Sequence, residues 1–152
     1  MASVFQRKFL GYRFWVAPGG KIMRRVADKA MAAFKQRVRE LTRRSGGRNL
    51  EQVVRQLRVY VLGWKAYFRM ADTPKVWNEL DQWTRHRIRA IQLKQWKRGT
   101  TAYRQLLKLG ASSDVAAQVA ANTRRWWRNS GRLLNSVLDM KWANQLGGPR
   151  LC

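Results

Sequence analysis

Between Leu50 and Ala71, apolar residues recur at Leu50, Val53, Val54, Leu57, Tyr60, Val61, Trp64, Tyr67, Phe68 and Ala71. Steps of three and one in this order place all of them on one face of an α-helix. Asn49 precedes the run and Gln52 follows three residues later, which predicts a capping box at its start. The opposite face carries Arg55, Arg58, Lys65 and Arg69. Upstream, Ala27, Ala30, Met31, Phe34, Val38 and Leu41 form a second stripe, predicting a helix that opens near Asp28 as N-cap and ends near Arg43. Downstream, Thr73-Pro74 marks a third helix start, with Val76, Trp77, Leu80, Trp83, Thr84, Ile88 and Ile91 on its apolar side to about Lys97.

The ends of the chain read differently. Residues 5–16 have strand composition, with Leu10, Tyr12, Phe14 and Val16 at period two. Ala17-Pro18-Gly19-Gly20 is a turn signal, and 21–26 can return as a second strand. A lone hairpin is marginal in water, so this one has to pack on the helices or on a partner. After Arg98-Gly99, a short helix over Ala102–Leu109 closed by Gly110, another capped by Ser112 or Ser113, and a last amphipathic helix through Leu133, Leu134, Val137, Leu138, Trp142 and Leu146 are expected. The fold class is therefore mainly α: a basic three-helix bundle with a short N-terminal β-hairpin and a C-terminal helical appendage. The expected division is 1–27, 28–98 and 99–152.

Charge changes the picture most. The 152 residues hold 32 Lys and Arg against 8 Asp and Glu, a net +24. Such a surface repels itself unless a polyanion screens it, which points to nucleic acid. Arg outnumbers Lys 22 to 10, and the forked, stacking guanidinium favours structured RNA or DNA over a lipid surface. Residues 85–98 carry Arg85, His86, Arg87, Arg89, Lys94, Lys97 and Arg98 with no acid among them. A merely solvated face interleaves both signs, so this run is read as a binding surface, neither core nor merely solvated. No apolar stretch reaches membrane-spanning length, and no membrane partner is expected. The lone Cys, Cys152, fits a reducing compartment, and a bacterial cytoplasm is the expectation over an organelle.

Catalytic chemistry is not expected. The Asp residues at 28, 72, 81, 114 and 139 are scattered, with no pair placed to hold two metal ions. The single His86 lies in an Arg-rich turn and reads as a surface residue or phosphate contact. No zinc spacing, phosphate loop or cofactor motif occurs. Among the aromatics, Trp64, Tyr67, Phe68, Trp77 and Trp83 sit at core spacing, whereas Trp96 falls outside a clean stripe. Trp126 and Trp127 are bracketed by Arg124, Arg125 and Arg128, and base stacking and core packing both stay open for them.

Several segments carry a family resemblance. Phe9-Leu10-Gly11-Tyr12, Leu50-Glu51-Gln52-Val53-Val54 leading to Gly63-Trp64-x-x-Tyr67-Phe68-Arg69, Trp83-x-x-x-Arg87-Ile88-Arg89 and Lys94-Gln95-Trp96-Lys97-Arg98 resemble the C-terminal part of group II intron reverse transcriptase/maturases. Residues 28–98 resemble the maturase-specific domain X, or thumb. Residues 5–26 resemble the hairpin that ends the polymerase palm, and 99–146 the small DNA-binding region. The resemblance implies a three-helix thumb that grips intron RNA and helps it fold and splice. The family's polymerase motif, Tyr followed two positions later by paired Asp, does not occur, so no polymerase activity of the chain's own is expected. Group II intron RNA is the expected partner. DNA, and a separately encoded palm for which this chain would be the thumb of a split reverse transcriptase, are alternatives, as is a gene remnant.

The residues nominated for RNA binding are Arg37, Arg43, Arg44, Arg55, Arg58, Lys65, Arg69, Arg85, Arg87, Arg89, Lys94, Lys97, Arg98, Arg124, Arg125 and Arg128. Gly63, Trp64, Tyr67 and Phe68 are assigned to packing.

Overall fold

The computed structural model describes residues 8–9, 11–43, 47–72, 74–125, 127–129, 133–149 and 151. The expected cap Thr73, the strand residues Phe5 and Leu10, and Arg44, Trp126 and Cys152 lie outside the described residues. The chain is mainly helical behind a small antiparallel sheet, as its periodicities require.

Two strands, β2 (Tyr12–Val16) and β3 (Ile22–Val26), form the hairpin, with Phe14 opposite Arg24. The strand expected over 5–16 is not continuous. Gly11 turns the chain at φ +84°, and β1 (Lys8–Phe9) folds back antiparallel onto Tyr12 and Arg13. A positive φ is open to glycine and costs other residues about 1–2 kcal/mol. The hairpin packs on the helices. Tyr12 donates its hydroxyl to the carbonyl of Tyr67 at 2.8 Å, and its ring lies 5.3 Å from Phe68. Asp72 accepts from the Arg24 amide at 3.0 Å and returns its own N–H to the Arg24 carbonyl.

Helices α1 (Asp28–Leu41), α2 (Leu50–Tyr67) and α3 (Pro74–Trp96) form the bundle. Asp28 is the first helical residue rather than the cap. Ala27 holds the cap position, and the Asp28 carboxylate instead takes the Arg13 guanidinium at 2.8 Å. The α2 capping box forms as its sequence predicts, with Asn49 accepting from Gln52 N–H and Gln52 from Asn49 N–H. Phe34, Val38, Leu57, Val61, Leu80 and Ile88 are buried together at the centre of the bundle. Each such side chain contributes about 1.5–3 kcal/mol by leaving water.

A second apolar cluster holds Leu93 from α3, Ala102 and Leu106 from α4 (Gly99–Lys108), Ala116 and Val119 from α5 (Ser113–Ala121), and Leu134 and Leu138. Helix α3 is thus covered on two sides, and Ile88, Arg89, Ala90 and Ile91 are buried in succession. The single last helix expected through 133–146 is two pieces. Leu134–Ser136 makes a 3-10 turn, and Asp139 then caps α6 (Met140–Gln145) by accepting the Trp142 N–H at 3.0 Å. Beyond α6 the chain returns to the bundle. Leu151 joins the first cluster, and its N–H donates to buried Asp81 at 2.8 Å. Among the described residues no helix is long and apolar enough to cross a membrane.

Candidate nucleic-acid interface

The α2 motif divides between core and surface. Trp64 links Phe34 (4.5 Å), Phe68 (4.7 Å) and Trp77 (5.3 Å, edge-on), and Phe68 is buried. Gly63 and Tyr67, expected to pack with them, are exposed instead. A Cβ on Gly63 would meet no atom within 4 Å. Tyr67 is 56% exposed, with its ring edge against Phe68. The reason is helical drift: a seven-residue step falls about 20° short of whole turns. Val53 is 2% exposed, Tyr60 is half-buried, and Tyr67, another seven on, has rotated out. The outer face of α2 is also less purely cationic than its sequence suggests, because Val59 (73% exposed) and Leu62 share it with the basic residues.

The basic residues fall into three groups. Some are held by the protein itself. Arg89 is 4% exposed, and its guanidinium donates to the Leu138 carbonyl at 3.3 Å. Burial, with Arg85 adding repulsion, pulls its pKa down to about 10, so it remains charged at neutral pH. Arg89 is therefore a correction to the reading of 85–98 as surface: the second cluster covers that side of α3. Arg58 donates to the Gly147 carbonyl at 3.1 Å and holds the returning tail, and Arg37 pairs with Glu40 at 3.0 Å. That pairing, with Gln36 next, holds the Glu40 carboxyl below its usual range.

A second group is exposed: Arg43, Arg55, Arg69, Lys94, Lys97, Arg98, Arg124, Arg125 and Arg128, while Lys65 is half-buried. Lys97 sits at φ +56° where α3 turns into α4. Arg125 and Arg128 line one recess of about 420 Å³ with Gln118, Asn122 and Asn129.

The third group is assembled around two indoles. Lys35 Nζ (5.9 Å) and the guanidinium carbons of Arg39 (5.5 Å) and Arg87 (5.6 Å) all lie over the Trp83 ring. Arg87 also lies 6.0 Å from the Trp127 ring and donates Nε to the Thr42 hydroxyl at 2.6 Å. Its pKa is lowered by burial and then by Arg39. Trp127 is 39% exposed and stacks on His86 at 3.7 Å between centroids. His86 Nε2 lies 2.7 Å from the Trp127 carbonyl, which only accepts, so Nε2 carries the proton and Nδ1 is left as an acceptor. Burial foremost, with Arg89 and Arg87 adding to it, lowers the His86 pKa against the opposing pull of that carbonyl, which keeps the ring neutral at pH 7.

This cluster joins α1, α3 and the segment after α5. Arg87, His86 and Trp127 were legible as candidates in the sequence. Lys35 and Arg39 were missed, although their i, i+4 spacing off the α1 stripe puts them on one face. Trp83 packs on the core and also carries the cations. Trp96, outside the stripe in sequence, packs half-buried on the second cluster. The carboxylates hold structural posts: Asp28 on Arg13, Asp72 on β3, Asp81 on the tail and Asp139 at a helix cap.

No curated protein matches the chain. The sequence profile for the group II intron, maturase-specific domain matches residues 31–110, from α1 through α4. That match takes in α2 and α3 entire and both cations of α1 that meet Trp83, and the maturase-specific part of such proteins is not the catalytic polymerase domain. The profile covers more than half of the residues, and with this helical bundle it places the chain in the group II intron maturase-specific domain family.

Proposed function

We propose that this chain binds group II intron RNA and assists its folding and splicing. The observation that carries the reading is the ring of three cations over Trp83, continued through Arg87 to Trp127 and His86. Three positive groups held within 6 Å of one indole repel one another, and with a net charge of +24 little acid remains to relieve them. Phosphates laid across the cluster relieve that repulsion and release their counterions, so affinity falls steeply with salt. Arg43, Arg55, Arg69, Arg85, Lys94, Lys97 and Arg98 supply the cationic surface around it, with Arg124, Arg125 and Arg128 on the appendage. The chain would favour the compact RNA by binding it more tightly than the open one. The test is splicing of a group II intron at limiting magnesium: added protein raises the rate, and Arg39→Ala with Arg87→Ala removes the gain. No effect of the wild-type chain on the rate overturns the reading.

A second reading, the thumb of a split reverse transcriptase, draws on the hairpin, where Trp15, Val16 and Ile22 are exposed together at one end of the sheet. Co-expression with a palm-encoding chain, followed by co-purification and primer extension, tests it. A palm that extends primers equally well without this chain refutes it.

A further inference from the structure

Between α3 and the segment around the 3-10 turn lies a cavity of about 560 Å³, lined by Gln82, Trp83, Arg85, His86, Asn135 and Met140 with Arg89 and Glu79. Pockets of about 300–1,000 Å³ are the size that encloses a small ligand. This one combines the features that a single nucleotide needs. Trp83 and Met140 give it apolar surface. Gln82 and Asn135 line it with exposed side chains, and each amide carries both a donor and an acceptor. His86 adds an acceptor at Nδ1 and is already half of a ring stack with Trp127. Arg85 and buried Arg89 outweigh Glu79 in charge, which suits a phosphate at the mouth.

We infer that this cavity receives one unpaired nucleotide of a bound RNA, its base held between Trp83 and Met140 and read by Gln82 and Asn135. The inference rests on the RNA-binding reading above. An apolar peptide side chain would leave both side-chain amides unanswered, and a bare phosphate would leave the apolar walls unused. A planar base with polar edges uses both, and such bases are recognised in RNA where they are splayed out of a helix.

The experiment compares two RNA duplexes, one fully paired and one with a single bulged 2-aminopurine nucleotide, by equilibrium binding and by fluorescence of the bulged base. The wild-type chain is expected to bind the bulged duplex about tenfold more tightly and to change its fluorescence. Gln82→Leu with Asn135→Leu is expected to abolish that preference while leaving affinity for the paired duplex unchanged. Both side chains are exposed, so the fold is not at stake. As a second variant, Met140→Ala removes one of the two apolar walls and is expected to weaken the same preference. A 2-aminopurine mononucleotide alone separates a site for free nucleotides from one for RNA; saturation by it at micromolar concentration would overturn the assignment to RNA. Equal wild-type binding to both duplexes, or a preference that survives both variants, overturns the cavity while leaving the RNA-binding reading intact. Binding to neither duplex overturns both.

Discussion

Two glycines of this fold should respond in opposite ways to the same methyl group. Gly63 lies in the interior of α2 with helical backbone, and a Cβ there meets nothing within 4 Å. Gly63→Ala therefore gains helix propensity without clash or new burial, about 1 kcal/mol. For a chain of this size that raises Tm by about 2–4 °C. Gly11 has φ +84°, and a Cβ there would stand 3.1 Å from Cε1 and Cζ of Phe68. Gly11→Ala incurs about 1–2 kcal/mol for the left-handed backbone. It must also displace a ring packed on Tyr12 and Trp64, which adds about 1–3 kcal/mol. The expected loss is roughly 2–5 kcal/mol. Urea unfolding followed by far-UV circular dichroism and tryptophan fluorescence measures both. A Gly63→Ala chain no more stable than wild type would refute the exposed placement of Gly63. A neutral Gly11→Ala would refute the turn that seats the hairpin on α2.

Arg89→Ala should lower stability by about 1.5–3 kcal/mol in urea, since it removes a buried charged hydrogen bond, whereas Arg55→Ala should change stability by less than about 0.5 kcal/mol. Equal stability losses would contradict the buried position of Arg89. Leu57→Ala should lose about 2–5 kcal/mol from the centre of the bundle, read from the same curves, and a loss below 1 kcal/mol would be incompatible with its burial. His86 has a folded pKa below its unfolded value of about 6.5, so the stability it contributes is full above that pH and fades as pH falls through the folded pKa. The urea midpoint should fall between pH 7.5 and 5, and His86→Gln should flatten that fall; an unchanged slope in the variant would assign the pH dependence to other groups.

Periodicity made the bundle legible. The α2 stripe, its capping box and Pro74 at the head of α3 are local signals, and each local preference agrees with the fold. What escaped was set by tertiary partners. Nothing near Arg89 in sequence says that α4, α5 and Leu138 will cover that side of α3. The return of the tail depends on Asp81 and Leu151, 70 residues apart. Asp28 looked like a cap because carboxylates favour helix starts, yet Arg13 across the hairpin claims it. At the interface, the charge run pointed to α3, but the cation ring also needs α1, and the cavity needs Asn135, whose position no spacing rule reveals.

The most direct test of the central claim is equilibrium binding of the chain to a group II intron RNA and to an unrelated structured RNA of equal length, each at two salt concentrations. A preference for the intron RNA that persists at the higher salt is the predicted result, because shape and base contacts survive when phosphate attraction is screened. Equal affinity for both RNAs, collapsing together as salt rises, would contradict it and reduce the interface to nonspecific phosphate attraction.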